Sequence, residues 1–171
     1  PVIERRASLD AATVGAVRDL VETITTTDQI SPLNEAALIA LHHDDVGHYV
    51  VEAGGKLLGY AQYDPATDTA QVCVHPGARD RGFGSALVAA VIEDHPTTSL
   101  WAFGNHRATQ VISARIGYVK VRELLIMERP LTLDEARAPL PDGVSIRSFK
   151  PDDEGAVLAI NGAAFSEHPE Q

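Results

Sequence analysis

The chain has little cysteine, few basic residues and no long apolar run. Its 171 residues include one cysteine, Cys73, which excludes an internal disulfide framework and fits a reducing cytosol. Lysine and arginine total 14 against 24 aspartates and glutamates, so the formal net charge is -10 and attraction to nucleic acid or to an anionic membrane is not expected. Any anionic ligand must therefore be held by a local concentration of donors.

Signals for membranes and export are also missing. No apolar stretch reaches the roughly 18–20 residues that cross a bilayer, and no basic segment followed by an apolar core opens the chain. Hydrophobic residues make up 44% of the chain, which is enough for a packed core, and the length suits one domain with a fragment of a second. The sequence therefore predicts a soluble, cytoplasmic protein.

Hydrophobic periodicity predicts the element order β-α-α-β-β-β-α-β-α-β before the chain reaches a proline-rich stretch. Ser31 and Pro32 are expected to begin the second helix. Gly54-Gly55 predicts a hairpin turn, and Gly117 ends the last helix before a long final strand, "YVKVRELLIMERP". Because strands alternate with helices only in the second half, we predict an α/β (α+β) fold with a mixed central sheet, antiparallel first and partly parallel later, flanked by helices.

The end of the chain departs from this order. The proline-containing stretch predicts a linker over residues 131–142, between a first domain at 1–130 and a tail at 143–171. The tail has a strand pattern and then a helix pattern, and "GAV" at 15–17 recurs at 155–157. The tail is either the start of a second copy of the same fold or a terminal strand and helix that pack on the first domain; its position after a linker favours the second copy.

The hexapeptide "RDRGFG" lies between a predicted strand and a predicted helix. A helix N-terminus presents unpaired N–H groups and about half a positive charge, which suits phosphate. Gly82 and Gly84 let a ligand approach the backbone, while Arg79 and Arg81 add charge-assisted donors. A Rossmann fingerprint needs a third glycine where this chain has leucine, and the Gly-Lys-Ser/Thr of a P-loop is absent. A pyrophosphate cradle and a plain turn with exposed arginines remain as alternatives.

Strand, R-x-x-G-x-G and helix, in this element order, resemble the GNAT superfamily of acyl-CoA N-acetyltransferases. The resemblance implies the GNAT fold, acetyl-CoA as co-substrate and no metal. It also implies that backbone amides of the loop hold the CoA pyrophosphate, and that the strand before it pairs with the pantetheine arm. The residues at the pyrophosphate would be Asp80, Arg81, Gly82, Phe83, Gly84 and Ser85. The residues along the arm would be Val72, Cys73 and Val74.

Several further segments, "VHPGARDRGFGSAL", "LWAFGN", "VRELLIMERPL" and "NGAAFSEHPEQ" among them, resemble the mycothiol synthase family. Its members are tandem pairs of GNAT domains that acetylate the cysteinyl amine of a cysteine–glucosamine–inositol conjugate. The resemblance implies that this chain works with its own second GNAT domain, as a monomer at full length. It also implies that Glu35 and Glu170 bind the amine substrate, although a glutamate in the first turn of a helix, such as Glu35, also favours the helix dipole.

Acetyl transfer to an amine needs a base for the ammonium proton and an acid for the departing thiolate. The GNAT resemblance places these groups at Gln71 and Ser113, and neither can titrate in the required range. Upstream, Asp64 and Asp68 are interpreted as residues of a hairpin turn. No catalytic residue is therefore assigned to residues 1–130, which are expected to bind acetyl-CoA with little or no chemistry.

Two other functions stay open, a stand-alone GNAT acetyltransferase for another small amine and a non-catalytic CoA-binding module that supports a partner domain. A cluster of histidines, His42, His43 and His48, has no cysteine or carboxylate pattern typical of a metal site, and is interpreted as part of a polar loop.

Overall fold

The computed structural model describes residues 2–104, 106–130 and 139–166. The chain divides into two compact units, Pro1–Glu123 and Leu124–Gln171. The strands of the first unit are β1 (Glu4–Arg6), β2 (Gly47–Ala53), β3 (Lys56–Asp64), β4 (Thr69–Val74) and β5 (Ser99–Trp101). Its helices are α1 (Ala11–Asp28), α2 (Glu35–Ile39), α3 (Phe83–Asp94) and α4 (Arg107–Ile116), with short 3-10 turns at Ala40–His42 and Pro76–Ala78. None of the helices in the described ranges is long and apolar enough to cross a membrane.

The five strands form one sheet in the order β1-β2-β3-β4-β5. Neighbours from β1 to β4 are antiparallel, whereas β4 and β5 run parallel. The hairpin between β2 and β3 turns at Gly54 and Gly55, with φ of 60° and 72°, left-handed values that glycine adopts without strain. The predicted mixed sheet and the predicted hairpin are confirmed.

Helices cover both faces of this sheet. On one face α1 and α2 bury their apolar residues against Val50, Tyr60 and Cys73. On the other face α3 packs through Leu87 and its neighbours. A Cβ at Gly59 would lie 2.9 Å from the Cδ1 of Leu87, so the glycine in β3 allows α3 to approach the sheet closely. The last residue of α1, Asp28, is bonded to Arg79 in the loop between β4 and α3, so the end of α1 lies beside the segment that leads into α3.

The start of the second helix differs from the prediction. Ser31 and Pro32 were expected to begin it, but α2 begins at Glu35 and its N-cap is Asn34, whose side chain accepts from the backbone N–H of Ala37 at 2.8 Å. The hydroxyl of Ser31 instead donates to the carbonyl of Leu33 at 2.6 Å and accepts the N–H of the same residue at 3.4 Å, so the acceptor that a cap would need is used within its own turn.

The long final strand predicted after Gly117 is wrong, although Gly117 itself ends α4 with φ of 75°. Residues 118–130 form no strand, and Val119 and Val121 are 79% and 85% exposed. Within the described part of the chain, β5 pairs only with β4. An alternating sequence becomes a strand only where a neighbouring strand satisfies its backbone groups, and no strand of the described residues pairs with this segment.

The second unit is built around α5 (Glu154–Ala164), which follows a 3-10 turn at Pro151–Asp153. Arg147 holds the entry to this turn through a two-pronged ion pair with Asp153, with N–O distances of 2.6 and 2.7 Å. The strand predicted at the start of the tail is absent from residues 144–150. No residue of α5 is buried, because the described residues of this unit form no sheet on which its apolar side chains could pack.

Candidate functional site

The R-D-R-G-F-G hexapeptide leads from the end of β4 into α3, as the sequence predicts. Gly82 is the N-cap of α3 with φ of 84°, and a Cβ there would meet nothing within 4 Å. Glycine is therefore required at this position by the backbone conformation, not by space. Asp80 also adopts a left-handed conformation, with φ of 59°, which aspartate tolerates better than most residues. The left-handed conformations of Asp80 and Gly82 turn the chain just before α3, so that the N-terminus of this helix is accessible to a ligand.

The first turn of α3 provides the donors of the site. The N–H of Ala86 donates to the carbonyl of Gly82 at 3.0 Å, which closes the first helical hydrogen bond. The amides of Phe83, Gly84 and Ser85 precede this bond and have no intrahelical acceptor. They point out of the helix N-terminus, where the helix dipole favours a negative charge. This segment, Asp80 to Ser85, is called the cradle below.

The two arginines of the hexapeptide lie in different surroundings. The guanidinium of Arg81 is exposed and lies 5.3 Å from the centre of the Phe83 ring, so it is placed at the cradle as an accessible cation. Arg79, also expected to contribute donors to a ligand, instead makes a two-pronged pair with Asp28 at 2.9 and 2.6 Å. The hydrogen bond from Arg79 holds the pKa of Asp28 below its usual range, so this carboxylate stays ionised.

The edge of β4 opens just before the cradle. β5 pairs with β4 only from Thr69 to Gln71, so β4 continues past the last parallel pair. His75 donates its backbone N–H to the carbonyl of Leu58 at 2.8 Å, toward β3. Backbone groups alternate along the strand, so those of Val72 and Val74 face the side on which β5 lies. The pairing of Gln71 with Trp101 uses the N–H of Val72, whereas the carbonyl of Val72 and both main-chain groups of Val74 lie past this last pair. These main-chain groups can pair with an extended ligand.

Cys73 occupies the position between these two valines and has a different role. Its side chain is buried in the apolar layer beneath α1, and burial raises the pKa of the thiol to about 12. The neutral thiol is a poor nucleophile because thiolate is the reactive form. Cys73 therefore serves as a core residue at the wall of the opened edge.

Both positions at which a GNAT-like site would handle protons are committed to structural bonds. The side-chain carbonyl of Gln71 accepts the backbone N–H of Asn34 at 2.9 Å and is buried. The hydroxyl of Ser113 donates to the carbonyl of Thr109 at 2.7 Å, one turn earlier in α4. A glutamine amide and a serine hydroxyl in these bonds do not titrate in the range that acid–base catalysis requires.

The nearby carboxylates and tyrosine are also engaged. Asp64 accepts from Ala66 and Thr67, and Asp68 accepts from the hydroxyl of Tyr63 at 3.0 Å, so both carboxylates stabilise the turn between β3 and β4. The hydroxyl of Tyr118 donates to a backbone carbonyl before β5, and burial is the main cause that raises its pKa.

His48 is not part of a polar loop, as the sequence suggested, but lies in β2 with 1% of its surface exposed. Its Nδ1 lies 2.7 Å from the hydroxyl of Tyr60, and its Nε2 lies 3.5 Å from the carbonyl of His43. A carbonyl only accepts, so the partners assign the proton to Nε2. Gln62 completes the network by donating to the Tyr60 hydroxyl at 3.1 Å. Burial lowers the pKa of His48, so the imidazole is neutral.

The structure describes only one of the two residues expected to bind an amine. Glu35 is the first residue of α2 and is exposed, where its charge also favours the helix dipole. Glu170 lies outside the described residues. Within the described ranges, no group of three or more His, Cys, Asp and Glu side chains is arranged to hold a metal ion.

Sequence reasoning missed the Asp28–Arg79 pair and the buried network of His48. Asp28 precedes Arg79 by 51 residues, so no local spacing connects them. His48 follows two exposed histidines and is distinguished only by the strand pattern around it, where Tyr49, Val50 and Val51 are apolar. This continuous apolar run directly after His48 was the one signal that could have placed it in the sheet.

Comparison with known proteins bears on this arrangement. Residues 16–118 match the acetyltransferase (GNAT) family model. A mycothiol acetyltransferase of Sanguibacter keddieii is 41% identical to this chain, and the match covers 95% of this chain and 57% of that protein. The chain spans 59% of a mycothiol acetyltransferase of Mycolicibacterium smegmatis and 53% of one of Streptosporangium roseum, so it covers little more than half the length of these relatives.

Solved structures with the same fold are more distant. An acetyltransferase of the GNAT family from Staphylococcus aureus Mu50 has a TM-score of 0.54 at 10% identity, covering 71% of this chain and 87% of that one. The aminoglycoside N-acetyltransferase AAC(6')-Iy, in complex with a bisubstrate analogue that contains CoA, has a TM-score of 0.50 at 17% identity. That match covers 77% of this chain and 100% of the aminoglycoside N-acetyltransferase chain.

Proposed function

Because this chain belongs to the acetyltransferase (GNAT) family, we propose that its first unit binds acetyl-CoA at the cradle and the open edge of β4. The observation that carries the proposal is that the open edge of β4 and the cradle come one after the other along the chain. The carbonyl of Val72 and the main-chain groups of Val74 lie past the last pair with β5 among the described residues. The free amides at the start of α3 follow after the short 3-10 turn and the loop that leads into the helix. An extended arm ending in a pyrophosphate fits this order of donors and acceptors.

Each part of the site has a separate task. The amides of Phe83, Gly84 and Ser85 hold the pyrophosphate with the help of Arg81, and the β4 edge holds the pantetheine arm. Asp80 contributes its backbone, because its carboxylate would repel a phosphate. Acetyl-CoA would supply an activated thioester when bound, in which the bond between the acetyl carbon and sulfur breaks as the amine nitrogen bonds to that carbon and the CoA thiolate leaves. Gln71 and Ser113 are committed elsewhere, so the proton transfers are assigned to a second domain.

We also propose that residues 143–171 begin a second GNAT domain after a linker at 131–142. The repeated "GAV" pairs α5 with α1 at an offset that matches Val17 with Val157 and Leu20 with Ile160. The α1 residues are buried on a sheet, whereas Val157 and Ile160 are 50% and 70% exposed. This face of α5 therefore has the pattern of a helix that packs on a sheet of its own. The length of the relatives leaves room for one.

For the whole protein we propose mycothiol biosynthesis in the cytoplasm, in which the cysteinyl amine of a cysteine–glucosamine–inositol conjugate is acetylated. The name of the relatives, mycothiol acetyltransferase, supports an acetylation in mycothiol biosynthesis. Glu35 and Glu170 are proposed to bind the ammonium and hydroxyls of the conjugate. A stand-alone acetyltransferase for another small amine is the alternative, and a preference for simple amines over the conjugate would favour it.

In the full-length protein, Glu35→Gln is expected to raise the KM for the conjugate by about fivefold to tenfold with little change in kcat, since a charge-assisted contact to bound substrate is lost. Steady-state acetylation, followed by release of free CoA, measures both constants. Glu22→Gln, an exposed glutamate on α1, is the matched control. An unchanged KM for Glu35→Gln would remove this residue from the amine site.

A further inference from the structure

We propose that Asp28 is a positioning residue that holds the cradle in its binding conformation through Arg79. This inference rests on the proposed binding of CoA and adds a residue that touches no ligand. Asp28 is the last residue of α1, and only 8% of its side chain is exposed. Its two carboxylate oxygens each accept one guanidinium N–H of Arg79, at 2.9 and 2.6 Å. This planar arrangement fixes the direction of the arginine as well as its distance.

The pair joins the cradle to two other segments. Arg79 precedes the left-handed Asp80 directly, and Gly82 follows two residues later. The Nε2 of His106, the N-cap of α4, lies 3.7 Å from the same carboxylate of Asp28. The end of α1, the cradle loop and the start of α4 therefore meet at one largely buried carboxylate.

The cradle needs such an anchor. A left-handed conformation at a residue other than glycine costs about 1–2 kcal/mol and persists only where the surroundings fix it. One end of the cradle is fixed by α3, through the bond from Ala86 to Gly82. The other end is fixed by Arg79. Without this anchor Asp80 can relax, and the amides at the start of α3 lose their common direction before a ligand arrives.

Charge alone predicts the opposite effect of removing Asp28. A carboxylate near a phosphate site repels the ligand, and its loss would free the Arg79 guanidinium to contact phosphate. Under that alternative, Asp28→Asn binds CoA more tightly than the native protein and Arg79→Lys stays close to native. Under the positioning role both variants bind CoA more weakly, because asparagine and lysine cannot form the two-pronged pair.

The test combines isothermal titration of CoA with amide hydrogen exchange of the ligand-free protein. We expect Asp28→Asn and Arg79→Lys each to raise the Kd for CoA about tenfold, and the double variant to be no weaker than the weaker single variant, since one interaction is lost in all three. Exchange should accelerate in the peptide that contains residues 79–85, while the peptides of β2 and β3 keep their protection. Asp19→Asn and Arg18→Lys, exposed on α1, are the matched controls.

The results separate this inference from the proposed function. Unchanged or tighter binding by Asp28→Asn, or protection of residues 79–85 that equals the native protein, overturns the positioning role. A general loss of protection in β2 and β3 also overturns it, because the pair would then stabilise the whole fold and not the cradle. A native protein that does not bind CoA overturns the proposed function, and the exchange result alone then supports or overturns the anchoring of the loop.

Discussion

Gly82→Val is expected to weaken the binding of CoA by about a hundredfold, or roughly 2.7 kcal/mol. Gly82 has φ of 84°, a conformation that a β-branched side chain adopts only with strain. Relief of that strain rotates the peptide groups that enter α3, so the amides of Phe83 and Gly84 turn away from the ligand. The added side chain would also stand beside the backbone that the pyrophosphate approaches. Isothermal titration with CoA measures the loss.

The matched control is Gly54→Val in the β2–β3 hairpin. Gly54 has φ of 60° and, like Gly82, no atom within 4 Å of an added Cβ, so the two variants carry a similar backbone strain. Gly54→Val is expected to lower the melting temperature and leave the Kd for CoA unchanged. Native affinity in Gly82→Val, or an equal loss of affinity in both variants, would contradict the assignment of the cradle.

Acidification below about pH 6.5 is expected to destabilise the protein through His48, by up to about 1.4 kcal/mol per pH unit, since one proton is involved. Burial lowers the pKa of His48 from its ordinary 6.5 in the folded protein. The unfolded chain therefore binds more protons than the folded chain as soon as the pH falls below that value. The stabilisation is complete above pH 6.5 and is lost as the pH falls through the folded pKa.

Urea denaturation between pH 5 and pH 8 measures this slope. Asp28 and Asp94 also have lowered pKa values, but these carboxylates contribute only below about pH 4. His48→Gln should be less stable at pH 8, because the Tyr60 hydroxyl loses its acceptor, and should lack the slope between pH 5 and 6.5. His42→Gln, an exposed histidine, should keep it. A slope that survives in His48→Gln would show that another group carries it.

The sequence predicts this fold well where local patterns decide the structure. The glycine pair at Gly54 and Gly55, the turn at Gly82 and the stop at Gly117 are positions where backbone conformation alone restricts the residue. The strand predicted after Gly117 fails because a strand depends on a partner, and no local pattern states whether the partner is present. The alternating valines of this segment, Val119 and Val121, have the sequence pattern of a strand, but in the structure they are exposed and belong to no strand.

The candidate site also has one part that local sequence predicts and another that depends on residues far apart in the chain. The cradle is visible from the sequence because its donors are consecutive backbone amides placed by a short motif. Arg79 was expected to face a ligand, and only the three-dimensional structure shows that Asp28, far away in sequence, binds it. His48 was misplaced for the same reason, since its partners Tyr60 and Gln62 come from the neighbouring strand. Hydrogen bonds between polar side chains that are far apart in the sequence produce no periodic pattern from which they could be predicted.

Titration of this chain with acetyl-CoA, followed by mass spectrometry of the cysteinyl conjugate incubated with the same mixture, tests the central claim most directly. The claim is that the first unit holds acetyl-CoA while Gln71 and Ser113 leave it without a base or an acid. We expect stoichiometric binding of acetyl-CoA, with no acetylated conjugate above the level formed without protein. Acetylation by this chain at a rate well above that background, or the absence of binding, would contradict the claim.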